Sequence, residues 1–150
     1  MTFQRIIVPV DYSPNSRRAL ALALGIAGPN GVDAVHVWDR PSYVSGDVTV
    51  GHADGSRRSL ADLILENAER EMTDFLSTVE VPPGAQLRHR LVPGEPVAAV
   101  LDQIAQHNYD LLVIGTHGRS GVTRMLLGSM TDKLIRMSPI PVLTVPPARD

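Results

Sequence analysis

Short runs of β-branched and aliphatic residues alternate along this chain with longer stretches whose apolar residues recur every three or four positions. The short runs are Ile6 to Val10, Ala34 to Trp38, Leu87 to Val92, Leu111 to Ile114 and Val142 to Val145. Each has the length of a strand and falls short of an ordinary helix. Between them, Leu20, Leu24 and Ala27 share one helical face. Leu60, Ile64, Ala68, Met72 and Phe75 share a second, and Val97, Val100, Leu101 and Ile104 a third. A fourth helix is read from Ser129 to Met137. The order βαβαβαβαβ constrains the fold more than any other feature. It requires an α/β architecture: an open parallel sheet, helices on both faces, and right-handed crossovers.

Local chemistry sets the boundaries. Ser13 can cap the first helix, and Pro14 suits its first turn. Gly28-Pro29-Asn30-Gly31 stops that helix, and Pro82-Pro83-Gly84 closes the second helical unit. Pro93-Gly94-Glu95-Pro96 opens the third. Leu87 to Val92 alternates apolar residues with Arg88 and Arg90, the pattern of an edge strand exposed on one side. Leu111 to Ile114 is the most apolar run and is expected centrally. Residues 40–58 are polar, contain glycine and lack a period, so they read as the longest loop.

Bulk properties exclude several functions. A chain of 150 residues suits one domain, expected to span residues 1–150. The net charge of −2 leaves no global basic field for nucleic acid. The absence of cysteine removes disulfides, thiolate metal sites and cysteine nucleophiles. No run approaches the ~20 apolar residues of a membrane span. The N-terminus runs directly into a strand without a leader pattern, so an untargeted, cytoplasmic protein is expected.

Ligands of open parallel sheets bind beyond the C-terminal ends of the strands. There the chain places Pro9-Val10-Asp11, then Val37-Trp38-Asp39, then a turn holding Gly115, Gly118, Gly121 and Gly128 within fourteen residues. Glycine lets backbone amides approach an anion closely, and a helix start at Gly128-Ser129 adds unpaired N–H groups. Arg119 and Arg124 could add positive charge. The turn matches neither the P-loop pattern nor the dinucleotide fingerprint. On spacing alone it reads as evenly as a phosphate cradle or as a loop with helix-cap glycines.

The spacing Gly115, Gly118, Gly128-Ser129 resembles the Gly-2x-Gly-9x-Gly-Ser/Thr pattern of the universal stress protein family. Ile6-Ile7-Val8-Pro9-Val10-Asp11, His36-Val37, Gly94-Glu95-Pro96 and the closing Ser138 to Val145 resemble the same family, so the likeness covers essentially the whole chain. It implies a Rossmann-like five-stranded sheet in the order 3-2-1-4-5. It also implies the ATP-binding branch of the family. Carried onto this chain, Pro9, Val10 and Asp11 would line the adenosine side, with Asp11 near ribose or metal, and the Val37 backbone would meet adenine. Gly115 would lie near ribose, and Gly118, Gly128 and Ser129 would hold the phosphates. Arg119 and Met130 complete the implied binding set. Mg²⁺ or Mn²⁺ would arrive with the phosphates and keep most of its waters. The family also dimerises by pairing last strands, which implicates Val142, Leu143 and Val145.

Other polar residues have simpler readings. His117 reads as a loop histidine, His36 as a half-buried strand residue, and His52, His89 and His107 as surface groups. Trp38 reads as a core or interface aromatic, and Arg17-Arg18 and Arg57-Arg58 as solvated helix faces. No catalytic residue is assigned. A nucleotide-dependent regulatory protein acting on an unidentified partner protein is therefore expected. The rivals are a slow ATPase or phosphotransfer enzyme on the same site, and a binder of AMP or cAMP.

Overall fold

The computed structural model describes residues 2–38, 48–117 and 127–149. Its elements run β1 (Ile6–Pro9), α1 (Pro14–Ile26), β2 (Val32–Trp38), β3 (Thr49–Gly51), β4 (Arg57–Ser59), α2 (Leu60–Ser77) and β5 (Leu87–Pro93). They continue with α3 (Pro96–Gln106), β6 (Leu111–Gly115), α4 (Ser129–Met137) and β7 (Val142–Val145). Five strands form one sheet in the order β5-β2-β1-β6-β7, every pairing parallel. Counted among the strands of that sheet, this is the expected order 3-2-1-4-5.

The two-residue period of the strands divides the core into two layers. Ile6, Val8, Val10, Val32, Ala34, Leu111 and Val113 point to the layer beneath α1 and α2, where Leu20, Leu24, Met72 and Phe75 meet them. Ile7, Val35, Leu112 and Ile114 point the other way, against Val97, Val100 and Ile104 of α3 and Leu134 of α4. Each of the valine, leucine, isoleucine, methionine and phenylalanine side chains among them contributes about 1.5–3 kcal/mol when fully withdrawn from water.

Caps fix where two crossover helices begin. Ser13 Oγ accepts the Ser16 N–H at 3.1 Å, and Glu95 accepts the Ala98 N–H at 2.8 Å. In each case a proline follows in the first helical turn. A cap of this kind contributes about 1 kcal/mol.

Three expectations change. The stretch 40–58, read as loop, holds all but the last residue of the antiparallel pair β3–β4, where Val50 faces Arg58. Arg57 and Arg58 therefore lie on a strand rather than a helix face, and Arg58 pairs with Glu66. The second helix stops at Ser77, well before Pro82, because the Thr78 N–H and hydroxyl turn back onto the Phe75 carbonyl. Finally, Arg88 and Arg90 do not simply face water. They converge with Arg5 on Asp33, a carboxylate with 0% exposure that sequence reading passed over.

Candidate functional site

The chain reverses its direction of sheet growth between β1 and β6, and a cavity opens there. Only Ile6–Leu111 and Ile7–Leu112 pair across this junction, whereas β1 pairs with β2 along all four of its residues. Proline explains the early stop. The Ile6 and Val10 N–H groups point to β2, bonding the Gly31 and Val35 carbonyls, so the nitrogen of Pro9 faces β6. It has no hydrogen to donate, and the ladder cannot continue.

The resulting cavity has a volume of about 240 Å³. Pro9, Val10 and Asp11 form one wall, and Val35, His36 and Val37 of β2 a second. Gly115 and His117 after β6, with Gly128 to Thr131 at the start of α4, close the third side. Of the residues singled out from sequence, Pro9, Val10, Asp11, Val37, Gly115, Gly128, Ser129 and Met130 all line this space. Gly118 and Arg119 lie outside the described residues, as do Gly121 and Arg124.

The wall formed by Pro9, Val10 and Asp11 is fixed by short-range bonds. Asp11 Oδ1 accepts the Ser13 N–H at 3.0 Å, which locks the turn into α1. Tyr12 sits in the left-handed region at φ 66°, an uncommon conformation for a residue with a side chain. Its ring stacks on His36 at 4.3 Å and meets Phe75 at 5.3 Å. His36 Nδ1 lies 2.8 Å from the Val10 carbonyl. A carbonyl only accepts, so Nδ1 carries the proton and a neutral ring keeps its Nε2 lone pair.

The opposite wall holds the start of α4 against the end of β6. The Gly128 N–H donates to the Thr116 carbonyl at 2.9 Å, and Thr131 Oγ1 donates to the Gly115 carbonyl at 2.9 Å. The first-turn amides of Ser129, Met130 and Thr131 are beyond reach of the helix's own carbonyls, so a helix N-terminus borders the cavity. Gly115 is required by space: a Cβ there would lie 2.6 Å from Asn15 Nδ2. That amide donates to the His117 carbonyl at 3.1 Å. Among the described residues, Asn15 Oδ1 and His117 Nε2 are buried without a hydrogen-bond partner.

Asn15, His36 and Thr131 thus help build the site although sequence reading gave them no such role. The signal for Thr131 was a polar residue on the buried face of a short amphipathic helix. Asn15 carried none, because its contact spans 102 residues. Among the described residues, no group of three histidine or acidic side chains is placed to hold a metal ion. No helix among them is long and apolar enough to cross a membrane.

Comparison with known proteins agrees with this geometry. The model of the Universal stress protein family matches residues 2–146. A universal stress protein of Thermus aquaticus is 31% identical over 146 residues, covering 95% of this chain and 98% of that protein. The solved universal stress protein of Lactobacillus plantarum superposes with a TM-score of 0.66 at 25% identity, covering 97% of this chain and 99% of that one. A universal stress protein solved in complex with cAMP superposes with a TM-score of 0.58, also at 25% identity, covering 97% and 98% of the two chains.

Proposed function

This chain belongs to the universal stress protein family, and on that premise we propose that it binds ATP in the cavity between β1, β2 and β6 as a nucleotide-dependent regulatory module. One observation carries the reading. Three segments remote in sequence, Pro9–Asp11, His36–Val37 and Gly115 with Gly128–Met130, line one cavity at the point where strand order reverses.

The division of labour follows from their chemistry. Val10 and the backbone of Val37 offer an apolar slot with edge hydrogen bonds, suited to adenine. Asp11 is placed for ribose hydroxyls. Gly128 and Ser129 present amides and a hydroxyl to phosphate oxygens, and the helix N-terminus favours their charge. Gly118 and Arg119 belong to the same phosphate-holding set by their place in the glycine pattern. The donors on this wall are N–H and O–H groups, and among the described residues the cavity lining offers one carboxylate, Asp11. Mg²⁺ or Mn²⁺ would be held chiefly by the phosphates, neutralising their charge.

Thr116 Oγ1 lies 2.8 Å from His117 Nδ1 at the cavity, but among the described residues no group bonds the far nitrogen of that imidazole to orient it as a base. Binding that shifts the protein between surfaces, rather than rapid turnover, is the function we assign. A ligand drives such a shift only by binding the two forms unequally. The outer backbone edge of β7, last in the described sheet, is the proposed homodimer contact through Val142, Leu143 and Val145; the first two side chains are half-buried and Val145 is buried, so main-chain pairing would carry it. A monomer mass by light scattering at micromolar concentration would exclude it.

A second reading is favoured by a specific likeness. The relative solved with cAMP is 25% identical across nearly the full chain, so a mononucleotide is the principal rival ligand. Mass spectrometry of nucleotide released from the denatured protein, followed by calorimetric titration with ATP and Mg²⁺, AMP and cAMP, separates the two. ATP that binds more tightly than either mononucleotide, and less tightly in Gly118→Ala, supports the ATP reading. Tighter cAMP transfers the site to the cyclic nucleotide. No binding of any of the three up to millimolar concentration leaves an interaction module without nucleotide.

A further inference from the structure

At the other end of the sheet, where the strands begin, a second groove lies between the segments that enter β1, β2, β5 and β6. Its walls are Gln4 and Arg5, Asn30, Gln86 and Arg88, and Asn108. Its volume is about 590 Å³. Two guanidinium groups and four side-chain amides thus surround one space, and no residue lining it is acidic.

The charges beneath the groove are unequal. Arg5 Nη2 lies 2.9 Å from Asp33, Arg88 Nε 2.6 Å and Arg90 Nε 3.7 Å. One carboxylate therefore faces three guanidinium groups. Asp110 is the other acidic group here, and its oxygens are taken by the Gln4 and Arg5 backbone N–H groups at 2.7 and 3.0 Å. Asp33 is turned inward, fully buried, with the Tyr109 hydroxyl as a further donor at 2.5 Å. Asp33 is thus engaged by Tyr109 and the arginines, and each Asp110 oxygen by one backbone N–H. Arg88 already donates from Nε to Asp33, from Nη1 to Gln86 and from Nη2 to the Asn30 carbonyl, whereas Arg5 is bonded to a side chain through Nη2 alone and has the more donors left for a ligand. Arg5 Nε is buried without a hydrogen-bond partner among the described residues.

A second sign of excess positive charge comes from His107 at the end of α3. Burial lowers its pKa from the ordinary value, the positive charges of Arg90 and Arg5 lower it further, and the Asp33 charge only partly opposes them.

Three guanidinium groups outnumber the two carboxylates, Asp33 and Asp110, found beside them. A single Arg–carboxylate pair satisfies the charge, and each added guanidinium brings like-charge repulsion. An oxyanion from solution would relieve that repulsion. Guanidinium groups are suited to it because their planar donors match phosphate and carboxylate oxygens. Side-chain amides beside them supply neutral donors of adjustable orientation. Gln86 Oε1 already accepts from Arg88 Nη1 at 3.2 Å, so its NH₂ group is the part left for a ligand.

We propose that the groove bounded by Arg5, Gln86, Arg88 and Asn108 is a second ligand site, for a small molecule bearing a phosphate or carboxylate group, at the end of the sheet opposite the nucleotide cavity. It does not depend on nucleotide binding.

The test is a nuclear magnetic resonance titration of the full-length protein at constant ionic strength, once with inorganic phosphate and once with succinate. Saturable shifts of the Gln86 and Asn108 side-chain amides, with the His107 titration midpoint moving up, support the proposal. The anion that saturates at lower concentration identifies the phosphate or the carboxylate source. Gln86→Glu keeps the acceptor for Arg88 and adds a negative charge to the groove, so affinity should fall roughly tenfold. Asn108→Asp repeats the test from the opposite wall. Shifts confined to the Ser129 region, shifts that grow linearly without saturation, or unchanged affinity in both variants overturn the proposal.

Discussion

The Tyr109 hydroxyl donates at 2.5 Å to Asp33, so the one fully buried carboxylate among the described residues is bridged to a side chain 76 residues away. The bond ties the start of β6 to the start of β2 across β1. Tyr109→Phe removes one donor and leaves the arginines in place. Urea unfolding should show a loss of about 1–2 kcal/mol. Asp33→Asn leaves three guanidinium groups without their counter-charge. It should cost about 2–4 kcal/mol, below the full penalty of a broken buried pair because the arginines keep contact with water.

The same pair bounds stability in pH. Burial pushes the Tyr109 phenol up to about 12, and the bond and charge of Asp33 push it the same way. Its contribution is complete below the ordinary value of 10.0 and is lost as pH rises from there to about 12. Burial opposes ionisation of Asp33, but its bonds to Tyr109, Arg5 and Arg88 outweigh that and hold its pKa below 3.8. Its contribution is present above 3.8 and disappears as pH falls through the lowered value. Unfolding midpoints measured against pH should show both limbs, and Tyr109→Phe should lose the alkaline one.

Gly115→Ala should strain the site from within. The new Cβ would lie 2.6 Å from Asn15 Nδ2 and 3.3 Å from the Asn15 carbonyl oxygen. The Asn15 side chain must move and give up its bond to His117. A stability loss of about 1–3 kcal/mol is expected, together with weaker nucleotide binding. Adding Asn15→Ala should recover part of the stability, so the two substitutions should be non-additive in chemical unfolding.

Thr131→Val should loosen the start of α4 against β6 while nearly preserving shape. It deletes the 2.9 Å bond to the Gly115 carbonyl. A buried acceptor then loses its donor, at about 1–2 kcal/mol. The amides of Ser129 and Met130 should exchange hydrogen faster than in the wild type. Unchanged exchange there would mean that packing alone holds α4 against β6.

Tyr12 separates backbone strain from ring packing. Tyr12→Ala and Tyr12→Gly both lose the stacking on His36 and Phe75. Only alanine retains the left-handed penalty at φ 66°. The glycine variant should therefore be the more stable by about 1 kcal/mol in thermal or urea unfolding.

Much of the sheet was legible from sequence because its strands are buried on both faces. Ile6, Ile7 and Val8 are apolar in succession, and no other element accommodates such a run so briefly. Ser13-Pro14 and Glu95-Pro96 were readable for a similar reason, since a cap acts within three residues of itself. The β3–β4 hairpin was not readable. Its strands are three residues each, and Val50 is exposed, so no burial imposes a period. The end of α2 was misplaced because Thr78 stops the helix by a local bond that proline-based reasoning does not register.

The candidate site divided in the same way. Pro9, Asp11, Gly115, Gly128 and Ser129 were named from strand ends, the glycine-rich turn and the resemblance to the family's pattern, all of which can be read along the chain. Asn15, His36 and Thr131 joined them only in the folded chain, where strands β1, β2 and β6 become neighbours. By itself the sequence determined the alternation of elements, the helix starts and the glycine-rich turn. These depend on periodicity, capping and backbone freedom, which act over a few residues. Tertiary structure alone decided that Pro9 halts the β1–β6 ladder, and that Arg5, Arg88 and Arg90 surround a buried Asp33. Both depend on which strand lies beside which, and that is set by packing between residues far apart in the chain.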